Sequence, residues 1–150
     1  MKKIAIVYAS RHHGNTWKLV NAISERYPVT AIDAEIQRSV DLSENDLVGF
    51  ASGIDFGRFY DSVEVFLRNN LPEKKPVFFL YTCARESRRF TESIEKEAMK
   101  KDAVLLGGYG CRGYNTYGPW KLIGGMNRMH PTAEEQEAAV RFVESLLELL

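Results

Sequence analysis

Cysteine is scarce in this chain: Cys83 and Cys111 are the only two in 150 residues, with 27 residues between them. That spacing is neither a CxxC motif nor a disulfide framework, and it points to a reducing cytoplasm. An excess of one charge is also missing, since Lys+Arg and Asp+Glu number 20 each. Bulk electrostatics therefore supply neither a nucleic-acid surface nor an acidic tail. No apolar run approaches the roughly 18 residues that a membrane-spanning helix needs. The basic start Met1-Lys2-Lys3-Ile4 looks like the opening of a signal peptide. The apolar run behind it stops at Arg11 without a cleavage pattern, however, and reads as a central strand. What is present is a chain 45% hydrophobic and free of repeats, suited to one compact domain over 1–150.

Short apolar runs alternate with helical patterns, the signature of a parallel sheet covered on both faces. The expected strands are 4–9, 29–32, 47–51, 77–82 and 103–107. Leu19, Val20, Ile23 and Tyr27 recur at helical spacing until Pro28 ends the pattern. The polar stretch 33–46 reads as an abbreviated crossover. Asp61 with Glu64 reads as a capping box opening a helix whose Val63, Phe66, Leu67 and Leu71 face the core. Phe90, Ile94, Ala98 and Met99 mark a further helix, and Pro131-Thr132 with Glu135 begins a last one running to the C-terminus. Stretches 52–60 and 107–131 read as loops. The second is too long for a simple connection and carries Tyr109, Tyr114, Tyr117 and Trp120.

The turn after the first strand, Ser10-Arg11-His12-His13-Gly14-Asn15-Thr16, opens a helix, and the unpaired N–H groups of a first helical turn favour an anion. Gly14 allows close approach of the backbone, and the hydroxyls of Ser10 and Thr16 can donate to a phosphate oxygen. The P-loop Lys and the triple glycine of a dinucleotide fingerprint are both absent. His12 and His13 are adjacent with no third His or Cys nearby, so no metal is expected. In an open parallel sheet this turn should meet the stretches 52–60 and 83–88 at the carboxyl edge. Flexible backbone at Gly53 and Gly57 beside Ile54, Phe56, Phe59 and Tyr60 would suit a planar aromatic ligand.

These residues resemble flavodoxin and its short-chain relatives. The likeness rests on Tyr8-Ala9-Ser10 with Gly14-Asn15-Thr16, on Gly49-Phe50-Ala51-Ser52-Gly53-Ile54 leading to Phe59-Tyr60, and on the strand ending at Thr82. The stretch from Gly110-Cys111-Arg112-Gly113 through Gly124-Gly125 to His130-Pro131-Thr132 also looks like small flavodoxin-like proteins. The resemblance implies an α/β, doubly wound five-stranded parallel sheet in the order 2-1-3-4-5, a three-layer sandwich that binds FMN. It implies that Ser10, Arg11, His12, His13, Gly14, Asn15 and Thr16 surround the phosphate. Ser52, Gly53, Ile54, Phe56, Gly57, Phe59, Tyr60, Thr82, Cys83, Ala84 and Arg85 would flank the flavin ring. In such proteins the protein supplies no acid–base machinery, and the flavin carries the electrons. A glycine in the second loop permits the peptide flip that stabilises the one-electron form; Gly53 and Gly57 are both candidates.

The chain departs from the usual pattern in two ways. The turn is one residue longer, and the rim holds Arg11, Arg58, Arg85, Arg88, Arg89 and Arg112 against Asp55 and Glu86. A positive rim should raise the flavin potential and steer anionic partners. The expected activity is electron transfer to a redox partner protein or a small-molecule acceptor, with no nucleic acid and no membrane involved. The alternative is an FMN-dependent NAD(P)H or quinone reductase. A phospho-receiver on the same fold is disfavoured, because Ser10-Arg11 and Gly110-Cys111 stand where it would need an acidic pair and a Lys. Cys83 and Cys111 follow the ends of neighbouring strands, either as two buried thiols or as a redox pair.

Overall fold

The computed structural model describes residues 1–11, 13–85, 87, 89–113 and 129–150. Its elements run β1 (Ile4–Ala9), α1 (Asn15–Arg26), β2 (Val29–Asp33), β3 (Leu47–Asp55), β4 (Arg58–Phe59), α2 (Asp61–Asn70), β5 (Pro76–Cys83), α3 (Glu92–Met99), β6 (Val104–Arg112) and α4 (Ala133–Leu147). Strands β2-β1-β3-β5-β6 pair in that order, all parallel, and β4 pairs antiparallel with β3 outside this path. With the hairpin strand β4 set aside, this is the expected 2-1-3-4-5 order.

Alternation along the central strands divides the core into two layers. Ile4 and Ile6 of β1, with Phe78 and Leu80 of β5, pack beneath Leu19, Val20 and Ile23 of α1 and Val140 and Val143 of α4. Ala5, Val7 and Ala9, with Phe50 and Phe79, turn the other way to Val63, Phe66 and Leu67 of α2 and Ile94 and Ala98 of α3. The near-continuous apolar runs follow from this, because a strand covered on both faces has no solvent side.

Four expectations change. The stretch 52–60 is not an open loop: β3 continues to Asp55, turns through Phe56 (φ 52) and Gly57 (φ 75), and returns as β4. Two central residues with positive φ are what a tight hairpin requires, and Gly57 meets that need at no steric cost. Second, β6 runs on to Arg112 although residues 107–110 are rich in glycine. Gly110 lies directly opposite Tyr81, and a Cβ there would fall within 2.6 Å of the Tyr81 ring. Gly49 faces Phe78 in the same way. Here glycine makes room for a cross-strand aromatic and does not signal a loop. Third, Asp61 caps nothing: Tyr60 is the N-cap of α2, without a side-chain cap hydrogen bond, and its carbonyl accepts from Val63 and Glu64. Glu64 turns inward instead, is 2% exposed, and accepts from Ser93 Oγ at 2.9 Å. Fourth, two of the residues placed on the third expected helix lie off its buried face. Phe90 precedes α3 and stacks edge-on against Tyr81, whereas Met99 is exposed.

Thr132 and Glu135, expected to begin the last helix, form a capping box there. Glu135 N–H donates to Thr132 Oγ1 at 3.1 Å, and Thr132 N–H donates to Glu135 Oε1 at 2.8 Å. Asp33 ends β2, and 34–46 holds only turns and irregular backbone, as expected of a short crossover. Tyr114, Tyr117, Trp120 and Gly124-Gly125 lie outside the described residues, as do His12, Glu86 and Arg88.

Candidate functional site

The turn between β1 and α1 takes a conformation that its glycine allows: Gly14 is the N-cap of α1 at φ 67, ψ 27, preceded by His13 at φ 67. The left-handed Gly14 followed by the right-handed Asn15 turns successive backbone N–H groups toward one concave side, a shape that receives anions. Ser10 Oγ accepts from Trp17 N–H at 3.1 Å and holds the turn against the helix. Asn15 and Thr16 are buried, at 7% and 1% exposure, although both are polar.

Tertiary contacts bring the separate loops onto this turn. Thr16 Oγ1 lies 3.0 Å from Thr82 Oγ1, linking the start of α1 to the end of β5. A Cβ at Gly113 would lie 2.6 Å from Asn15 Nδ2, so the end of β6 also abuts the turn. Gly113 N–H donates to the Cys83 carbonyl at 2.9 Å. On the β3 side the Arg11 guanidinium sits 4.2 Å above the centre of the Tyr60 ring. Tyr60 N–H donates to Ser52 Oγ at 2.9 Å, and Ser52 Oγ donates to the Gly53 carbonyl at 2.6 Å, which latches the hairpin base. Arg11, Asp55, Phe56, Arg58 and Tyr60 line a depression of about 410 Å³ here.

The expected ring-flanking residues divide by burial. Phe56 is 96% exposed at the hairpin tip. Phe59 is 1% exposed and packs edge-on against Phe79, so it belongs to the core. Tyr60 is buried beneath Arg11. Ile54 and Ala84 are half-buried, Arg85 is exposed, and Ser52, Thr82 and Cys83 are buried. The two candidate glycines also separate. Gly53 is held in the ladder opposite Thr82 and close against Tyr60, whereas Gly57 has open space around it.

The rim is less uniformly positive than its sequence reads. Arg11 pairs with Glu35, whose hydrogen bond raises the arginine pKa and holds the Glu35 carboxyl below the usual range. Arg58 pairs with Asp61 at 2.9 Å and lies 4.0 Å from Glu64. Arg85, Arg89 and Arg112 are exposed and make no ion pair among the described residues. Cys83 and Cys111 are buried and form no disulfide, and the Cys83 thiol donates to the Cys111 carbonyl at 3.4 Å. Cys111 is opposite Thr82 in register and shares its face, so Cys83, one residue on, points to the other side of the sheet. The two are therefore not poised to join as a disulfide.

One signal in the sequence bears on the turn and is easily passed over. Helices α2, α3 and α4 each begin with two acidic residues in the first turn (Asp61 and Glu64, Glu92 and Glu95, Glu134 and Glu135), whereas α1 begins with none. Acidic side chains at a helix start offset the positive end of the dipole. At α1 that end is left for another anion.

No family model matches the chain. The Uncharacterized protein MJ0298 of Methanocaldococcus jannaschii is 34% identical over 148 residues, which span 97% of this chain and 98% of that one. The chain belongs to the family of MJ0298. Its fold is flavodoxin-like. Flavodoxin 2 from Bacillus cereus superposes with a TM-score of 0.66 at 20% identity over 99% of both chains. A flavoprotein in complex with FMN from Lactobacillus acidophilus NCFM superposes with a TM-score of 0.56 at 14% identity, over 73% of this chain and 92% of that one. On this flavodoxin-like sheet the α1 turn lies between β1 and β3, where the strand order reverses. Among the described residues no helix is long and apolar enough to cross a membrane.

Proposed function

We propose that the protein binds FMN non-covalently at the α1 turn and passes electrons between a donor and an acceptor. The observation that carries this reading is the start of α1: a left-handed Gly14, no acidic residue in the first turn, and buried Asn15 and Thr16, all at the point where strand order reverses. The flavin, when bound, supplies the electron chemistry, and the chain supplies binding, orientation and electrostatics. Ser10, Gly14, Asn15 and Thr16 would hold the phosphate through hydroxyl and backbone donors. The hairpin tip at Phe56-Gly57 and the 82–85 segment would flank the ring, with Phe56 as the aromatic free to stack. The freedom around Gly57 supports it over Gly53 as the site of a backbone flip. The absence of a disulfide at Cys83 and Cys111 supports a reducing, cytoplasmic setting.

Titration of the purified protein with FMN, followed by absorbance and calorimetry, tests the reading. Flavin bands with a perturbed spectrum and measurable heat are expected. A protein that stays colourless and releases no heat would remove it. A potentiometric titration of the loaded protein should then resolve separate one-electron steps. Steady NADPH oxidation by the isolated protein in the presence of a quinone would reassign it as a self-sufficient reductase.

A further inference from the structure

The arginines at the carboxyl edge fall into two electrostatic classes. On the β1 and β3 side, Arg11 and Arg58 are neutralised within the chain by Glu35, Asp61 and the nearby Glu64. On the β5 and β6 side, Arg85 and Arg112 at the strand ends and Arg89 in the turn before α3 are exposed, with no acidic partner among the described residues. Their placement together is fixed by the backbone. Arg112 stands opposite Cys83 in the β5–β6 ladder, and Arg85 follows Cys83 by two residues. Tyr81 Oη donates to the Ser87 carbonyl at 3.4 Å and Arg89 N–H donates to Ser87 Oγ at 3.3 Å, which folds the connecting loop back over the end of β5.

The sequence extends the same asymmetry. From residue 103 to residue 133 there is no Asp or Glu, although Arg112, Lys121 and Arg128 fall within that stretch. The segment 84–91 carries three arginines and one glutamate. A chain with equal numbers of acids and bases has thus concentrated positive charge in the two segments that leave β5 and β6. Exposed cationic side chains raise the encounter rate with an extended surface of opposite charge. A small anion needs converging donors in a concave site instead.

We propose that Arg85, Arg89 and Arg112 form a docking surface for an acidic protein. That this partner is an electron donor or acceptor rests on the flavin reading above; that its surface is acidic does not.

The test is calorimetric titration of the FMN-treated full chain with poly-L-glutamate, with NADPH and with a short DNA duplex as the competing anions. Poly-L-glutamate should bind, weakening at least about tenfold as ionic strength rises from about 20 to about 200 mM. R89E/R112E should weaken binding at least about tenfold, R89Q/R112Q less, and R141E on the exposed side of α4 by under about twofold. Undiminished binding by the charge-reversed variant, or no binding by the wild type at low salt, overturns the proposal. Variant-sensitive binding of NADPH without poly-L-glutamate would make this a nucleotide-phosphate site, and tighter binding of DNA would make it a nucleic-acid surface. Because heat of polyanion binding needs no flavin, a colourless protein that binds poly-L-glutamate would remove the electron-transfer reading alone.

Discussion

The N-termini of α1 and α4 solve the same problem in opposite ways. α4 satisfies its own first turn: Thr132 and Glu135 exchange hydrogen bonds, and Glu134 and Glu135 face the positive end of the dipole. α1 has Gly14 as its N-cap, with no side-chain cap hydrogen bond and no acid in its first turn. A helix capped by its own acids gains stability, whereas α1, whose Trp17 N–H is held by the neutral hydroxyl of Ser10, keeps the positive end of its dipole for an external anion. Both belong to one helical layer, so the difference arises from the residues placed at each start.

The strongest way to break this comparison is to give α1 the acid that α4 has. Trp17 occupies the same helical position as Glu135 and is 39% exposed. Against W17Q, which removes the same packing on Tyr8, W17E should weaken FMN binding by on the order of 3 kcal/mol through repulsion of the phosphate. Affinity for riboflavin, which lacks the phosphate, should not distinguish the two variants. Equal FMN affinities would mean that the phosphate sits elsewhere.

Next in size, T16V should cost FMN about 1.5–3 kcal/mol by removing a hydroxyl donor to a charged group, again without effect on riboflavin. Thr82 acts one step back. A hydroxyl has one proton, so if Thr16 gives its own to a phosphate then Thr82 must donate across the 3.0 Å contact. T82V should therefore cost FMN about 0.5–1.5 kcal/mol and riboflavin nothing. Calorimetry with both ligands separates this from general damage to the fold.

On the other side of the comparison, T132A should lower unfolding free energy by about 1 kcal/mol in urea melts and leave FMN affinity unchanged. A loss of flavin affinity in this variant would show that the two helix starts are not independent. The smallest effect is in acid. Burial pushes the Glu135 carboxyl up, but the Thr132 N–H and His130 more than offset it and hold its folded pKa below the usual carboxylate range. A depressed carboxylate contributes stability that is present above the unfolded glutamate pKa, about 4.3, and is lost as pH falls through the folded value. Urea midpoints should fall over that acid window by less in E135Q than in the wild type.

The elements most legible in the sequence were those with a strong local signature. β1, covered on both faces, spans Ile4–Ala9 as its apolar run indicates, and the capping box at Thr132 forms as its four residues spell out. Two others were hidden because their local signal carries the opposite meaning. Glycines at 107, 108 and 110 weaken any strand reading, yet Gly110 is required where Tyr81 crosses from β5. Asp61 and Glu64 have the spacing of a capping box, yet Glu64 finds Ser93 of α3, a residue 29 positions away. The candidate site was legible in the same uneven way. Ser10, Gly14, Asn15 and Thr16 announce an anion site in one short stretch, but nothing local indicates that Arg11 meets Glu35 and Tyr60 while Arg112 meets no acid among the described residues.

The sequence by itself determined the layered parallel sheet, the open start of α1 and the acid-free stretch 103–133, because periodicity, dihedral freedom and charge are local properties of the chain. Only the tertiary structure decided which hydroxyl meets Thr16, which aromatic lies exposed and which arginines find an acidic partner among the described residues. Those outcomes depend on distances between segments far apart in sequence, set when both faces of the sheet are buried and the strand ends are brought to one edge.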